Sequence, residues 1–109
     1  MSAKLPAISH LQFLALGVLL GGEQPGRIIR DAVGRFGVRR SRAAFYQFMA
    51  RLERDGLVEG WYDQIAVGDQ HVTERRYRIT SAGRKIWTRT RAFYEAVDRV
   101  AAAPRSSNA

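Results

Sequence analysis

The chain has 109 residues, the length of one domain with a modest core. It has no cysteine, which excludes disulfides and thiolate metal sites and makes a reducing cytoplasm the natural setting. Its formal net charge of +8 and sequence pI near 11.0 point toward an acidic partner.

Residues 1–8 read as a flexible leader. Ser9 followed by Gln12 makes a capping-box pattern. The helix it opens carries Leu11, Phe13, Leu14, Leu16, Val18, Leu19 and Leu20, apolar nearly all round and so buried on more than one side. That stretch is too short to span a bilayer, and no small-residue cleavage motif follows it. Gly21-Gly22 ends it.

Pro25 suits the first turn of a second helix. There Ile28, Ile29, Ala32, Val33 and Phe36 form an inward stripe, while Arg27, Arg30, Asp31 and Arg35 face outward. Gly37 stops this helix, and Ser41 caps a third. Phe45, Phe48, Met49 and Leu52 recur at helical spacing and fix its inward face, and Gly56 closes it. Arg42, Ala43, Tyr46, Gln47, Ala50 and Arg54 occupy the opposite face.

Leu57 to about Ala66 and Val72 to Ile79 read as two strands around a Gly68-Asp69 turn. Two-residue alternation puts Tyr77 and Ile79 toward the core and Glu74, Arg76 and Arg78 on the other face. A last helix runs from Thr80 or Ser81 to about Ala102. Its stripe of Ile86, Thr90, Phe93, Val97 and Val100, with Trp87 and Tyr94 beside it, has little of its own monomer to cover it. Pairing with a second copy is the economical answer.

The order helix, helix, helix, hairpin, helix predicts a mainly α fold with a small β-hairpin, a winged helix-turn-helix. It spans residues 9–81, followed by a dimerisation helix at 82–102 and a flexible tail at 103–109. Charge follows that plan. Arg27 to Arg54 carries eight Arg against Asp31 and Glu53, and Arg75 to Arg91 carries six Arg and Lys85 with no acid. Arg outnumbers Lys sixteen to two, and guanidinium forks bind phosphate and guanine bidentately.

Several motifs resemble those of PadR-like winged-helix transcriptional regulators. They are Ser41, Phe45-Tyr46, Arg51-Leu52-Glu53, Gly56-Leu57-Val58, Trp61, Arg75-Arg76-Tyr77-Arg78-Ile79-Thr80 and Gly83. Leu14-Ala15-Leu16-Gly17 and Gly26-Arg27-Ile28 are similar to that family's first two helices, so the resemblance covers roughly residues 9–95. The Tyr-Arg-Ile-Thr with Gly three residues on is the most telling, because it joins wing to helix at the expected distance. The resemblance implies a cytoplasmic homodimer that binds a near-palindromic operator, usually as a repressor and sometimes released by a small effector. Two departures stand out. Gln47 occupies the position where the family usually has proline, which bears on base preference, and the C-terminal part is a single short helix.

Arg42, Tyr46 and Gln47 lie near the start of the third helix, the part that meets base edges in helix-turn-helix docking. Arg pairs with guanine O6 and N7, and Gln with adenine N6 and N7. The bland alternative has Tyr46 packed on a neighbouring helix and Arg42 merely solvated. Arg39, Arg40, Gln70, His71, Arg75 and Arg76 are the phosphate or minor-groove candidates; a strand edge protected by charge is the alternative for the wing. Leu11, Leu14, Ile86, Trp87, Phe93, Tyr94, Val97 and Val100 are the dimer-interface candidates. His10 and His71 lack ligand-like spacing, so no metal or other cofactor is expected. Neither a nucleophile elbow nor a Gly-rich phosphate loop is present, so no enzyme activity is expected.

The leading reading is a homodimeric regulator that binds double-stranded DNA in the cytoplasm. Two others stay open on the sequence. One is a winged-helix module that engages an acidic protein without reading DNA. The other is a regulator that senses a small aromatic effector in a Trp87-lined cavity at the dimer interface.

Overall fold

The computed structural model describes residues 4–102. Helix α1 spans His10–Val18, and its capping box is formed: Gln12 N–H donates to Ser9 Oγ at 3.1 Å and Ser9 N–H to Gln12 Oε1 at 2.9 Å. Strand β1 (Gln24–Pro25) leads into helix α2 (Gly26–Arg35). Helix α3 (Arg42–Arg54) starts where Ser41 Oγ accepts the Ala44 N–H at 3.1 Å. Gly56, at φ +75°, takes the chain out of α3 in a left-handed conformation that a side chain would resist. Strands β2 (Val58–Val67) and β3 (Gln70–Ile79) then form the wing, and helix α4 (Ser81–Ala102) closes the described fold. The expected tail at 103–109 lies outside the described residues, as does the very start of the leader.

The wing is a regular antiparallel ladder from Val58↔Ile79 at its root to Val67↔Gln70 at its tip. Gly68, with φ +62°, takes the first central position of the two-residue turn, where hairpins of this length favour glycine. Alternation along β3 buries Tyr77 and Ile79 as expected. They join Leu16 and Leu19 from the end of α1, Ile29 of α2, and Phe45, Met49 and Leu52 of α3 in one core. Each large apolar side chain so enclosed contributes about 2 kcal/mol.

Three features depart from the sequence reading. Pro25 does not enter the second helix. With φ −67° and ψ 150° it is the extended residue before it, and Gln24 and Pro25 pair with Tyr77 and Arg76. The hairpin is therefore part of a three-stranded sheet of order β1-β3-β2, with proline at an edge where no N–H is needed. Phe36, expected in the inward stripe, is 72% exposed, because α2 stops at Arg35 and Phe36 belongs to the turn. The third concerns α4, whose own chain covers more of it than expected. Trp87 stacks on Phe13 with centroids 5.2 Å apart, Tyr94 lies 5.5 Å from Phe13, and His10 Nδ1 and the Tyr94 hydroxyl share a short hydrogen bond. Thr90 is buried there and donates to Ile86 O at 2.7 Å.

Candidate nucleic-acid interface

An α-helix turns about 100° per residue, which divides the surface of α3 into sectors. Phe45, Met49 and Leu52 point into the core. Directly opposite stand Ala43, Gln47, Ala50 and Arg54, all exposed. On one flank, Arg42 and Tyr46 look toward the wing, where with Ala50 they line a groove of about 790 Å³ whose far wall is Tyr62, Ile65, Val67 and Val72. On the other flank, Ala44, Gln47, Phe48 and Arg51 share a groove of about 410 Å³ with Arg40 and the start of α1. Helix α3 is thus a ridge between two furrows, with small residues on its crest.

The three base-reading candidates divide accordingly. Arg42 and Gln47 are exposed, on the wing flank and the crest respectively. Tyr46 is half-buried, edge-on to Phe45, and a Cβ placed on Gly26 would stand only 2.9 Å from its hydroxyl. It packs on the start of α2, as the bland alternative has it, with the hydroxyl side of the ring bordering the groove. Arg51 and Arg54 were not singled out as candidates from the sequence. The signal for Arg54 was the spacing of Ala43, Gln47, Ala50 and Arg54, which repeats the helical period on the face opposite the core.

The arginines sort into two groups. Those of the wing root are neutralised within the fold. Arg75 Nη2 donates to Glu53 Oε1 of α3 at 2.5 Å. Arg76 Nη1 donates to Glu74 Oε2 at 2.9 Å, and its Nε faces Glu23 Oε1 at 3.3 Å as a charge contact without a hydrogen bond. Glu74 is shared with Arg27 of α2, whose Nε lies 3.1 Å from Oε1. Arg78 pairs with Glu59 across the ladder. Arg75 and Arg76 are only 22% and 20% exposed, whereas the tip candidates Gln70 and His71 are open to solvent. By contrast Arg35, Arg39, Arg40, Arg42, Arg51 and Arg54 are exposed and, among the described residues, make no ion pair. The uncompensated charge lies on the helix-turn-helix and on α4, where Arg84, Lys85, Arg89 and Arg99 are also exposed and, among the described residues, make no ion pair; it does not lie on the wing root.

Burial sets the titration of the wing root. It pushes the Tyr77 phenol up to about 12, against the opposing pull of Arg75. Burial pulls the Arg75 guanidinium down, but its contacts with Tyr77 and Glu53 outweigh this and leave it raised.

The dimer candidates also split. Trp87 and Tyr94 face α1 of the same chain, and Arg91 covers the Trp87 ring at 5.8 Å. Ile86, Leu11 and Leu14 are partly buried. Phe93, Val97 and Val100 fall on an adjoining stripe of α4, where Val97 is 45% and Val100 77% exposed.

A three-helix unit with a wing after its third helix defines the winged helix-turn-helix class. No protein-family model matches the chain, and no curated protein matches it. Its structural similarities are clear. A PadR family transcription regulator from hypervirulent Clostridium difficile R20291 superposes with a TM-score of 0.70 at 15% identity, over 84% of this chain and 94% of that one. A transcriptional regulator from Clostridium thermocellum gives 0.65 at 21% identity, over 87% and 95%. Bacillus subtilis PadR in complex with operator DNA gives 0.56 at 18% identity, over 92% of this chain and 51% of that one. The fold is that of the PadR-like winged-helix regulators.

Proposed function

We propose that the chain is a homodimeric, sequence-specific DNA-binding transcriptional regulator that acts in the cytoplasm as a repressor on a near-palindromic operator. The observation that carries this reading is the set of exposed, unpaired guanidinium groups on and just before α3, beside a crest of small residues. Alanines at Ala43 and Ala50 let the helix axis approach base edges closely, and Arg42, Gln47 and Arg54 reach outward on either side. Arg39 and Arg40, in the turn before α3, meet the phosphates, and Gln70 and His71 at the wing tip touch the neighbouring backbone. Dimerisation through the Phe93, Val97 and Val100 stripe spaces two α3 helices about one turn of DNA apart, about 34–36 Å. A small aromatic effector at the dimer interface would have to share the Trp87 indole with Phe13, which stacks on it, and with Arg91.

Selection from a random duplex pool tests the reading. An enriched, inverted-repeat sequence is expected, bound with an affinity that falls steeply with salt as Arg–phosphate contacts release counterions. An unenriched pool, together with tight binding to an acidic cellular protein, would transfer the basic surface to protein recognition.

A further inference from the structure

The wing reaches the recognition helix through one ion pair that crosses a third residue. Arg75 of β3 extends over the neighbouring strand β2 to Glu53, in the last turn of α3. It crosses at Gly60, which pairs with Tyr77 in the ladder. A Cβ on Gly60 would stand 2.0 Å from Glu53 Oε1 and 2.9 Å from Arg75 Nη2, so the pair occupies the space that any side chain there would fill. The Arg75 guanidinium is steadied by two aromatic rings, with Cζ 4.6 Å from the Tyr62 centroid and 5.5 Å from that of Tyr77. Both partners are about three-quarters enclosed, which shields the pair from solvent screening.

From this geometry we propose that Glu53 and Arg75, crossing at Gly60, tie the wing to α3 and preset its angle. Both are positioning residues for duplex binding, and Arg75 is not a phosphate contact. The inference rests on the DNA-binding reading for its effect on affinity, but not for the tie itself. Without this pair the wing is joined to the helices at its root and through Glu74 to Arg27 of α2, and among the described residues no ion pair joins it to α3. A tie to the last turn of α3 fixes the width of the groove between them. Preorganisation of this kind raises affinity by sparing the ordering cost at binding.

Glu53→Gln removes a negative charge from a surface that meets DNA, and electrostatics alone then predicts tighter binding. If Arg75 were a phosphate ligand held in reserve, freeing it would tighten binding further. The tie predicts the reverse, about three- to tenfold weaker binding of the selected operator, because the wing is released. Gly60→Ala should do the same without unfolding the chain, since the atoms in its way are the ends of flexible side chains. Wing angle is read directly in the DNA-free protein. With no native cysteine, spin labels at Asp69→Cys on the wing tip and Thr88→Cys on α4, diluted with unlabelled chain, report one distance distribution. It should be narrow in the parent and broad in both variants. The double variant Glu53→Gln/Arg75→Gln should bind no more weakly than either single change, because both remove one tie.

Tighter operator binding by Glu53→Gln, or an unchanged distance distribution in both variants, would overturn the proposal. If the parent chain binds no duplex, the DNA reading falls, and the label distances still decide whether the tie holds the wing.

Discussion

Replacing Gly83 with alanine should be among the most damaging single-methyl additions available to this chain. Gly83 lies in the first turn of α4, pressed against the backbone that leaves α3. A Cβ there would stand 2.2 Å from the Leu57 carbonyl oxygen and 2.7 Å from Ile79 Cγ1. Ordinary contact begins near 3.4 Å, so the helix and the Leu57 peptide must separate by about 1 Å. That carbonyl accepts the Thr80 N–H at 3.1 Å, and the Thr80 hydroxyl donates to Gly56 O at 2.7 Å while accepting the Gly83 N–H at 3.0 Å. Separation therefore strains a joint of three hydrogen bonds. Overpacking costs about 1–3 kcal/mol, and a weakened bond about 1 kcal/mol. Alanine returns about 1 kcal/mol through its helix propensity. The net loss is about 1–3 kcal/mol, a fall in Tm of about 5–20 °C for a domain of this size. Circular-dichroism melts at one fixed protein concentration read it, because association shifts Tm by mass action. Gly34→Ala is the internal control: it is helical, with nothing within 4 Å of the added Cβ, and should be neutral or slightly stabilising. Should Gly83→Ala melt with the parent or with the Gly34 variant, the close-approach argument fails.

Two further outcomes follow from the same geometry. Tyr77 is held neutral by burial with its phenol raised from 10.0 to about 12, so the folded state retains a proton that the unfolded chain loses between those values. Stability should hold below pH 10 and fall by about 2–3 kcal/mol as pH rises to 12; Tyr77→Phe should remove that part of the slope in urea titrations, and an equal slope in both proteins would contradict the assignment. Val97→Glu puts a charge in the middle of the uncovered α4 stripe, and light scattering should show the mass shift from dimer to monomer with operator binding lost, whereas an unchanged mass would place the dimer contact elsewhere.

What the sequence revealed was whatever local chemistry determines. The Ser9–Gln12 box, the Ser41 cap, the Gly68-Asp69 turn and the alternation that buries Tyr77 and Ile79 all involve residues within a few positions of each other. What it concealed involves partners far apart along the chain. Gln24 and Pro25 form an edge strand only because β3 arrives some fifty residues later to pair with them. Trp87 and Tyr94 looked uncovered because the periodicity of α4 says nothing of Phe13 and His10. Charge was the subtler case. Counting the window from Arg75 to Arg91 finds no acid, yet Arg75 and Arg76 are neutralised by Glu53, Glu23 and the preceding Glu74, each outside that window. The surplus from Arg27 to Arg54 stays open to solvent, whereas that from Arg75 to Arg91 is cancelled at the wing root and persists on α4 at Arg84, Lys85 and Arg89.

That relocation changes how the two parts of the surface divide their labour. A long-range field attracts a polyanion, and it should originate where charge is uncompensated and solvent-exposed, on Arg35 to Arg54 and on the open cations of α4. Paired charges contribute little to that field but hold geometry, because breaking them exposes a partly enclosed ion. The wing root is of this second kind. Its pairs fall into two sets: Glu23 before β1, Arg27 of α2 and Arg76 and Glu74 of β3 form one, and Glu53 of α3 with Arg75 of β3 forms the other. Helices α2 and α3 are thus each joined to β3 by an ion pair of their own. The Thr80–Gly83 joint then fastens α4 to the end of α3, and Phe13–Trp87 stacking fastens it to α1. In the proposed dimer the separation of the two α3 helices is therefore set by the angle at which two α4 stripes cross. Beyond Asp63↔Glu74, the outer half of the wing is held by its own ladder, and among the described residues no ion pair reaches it.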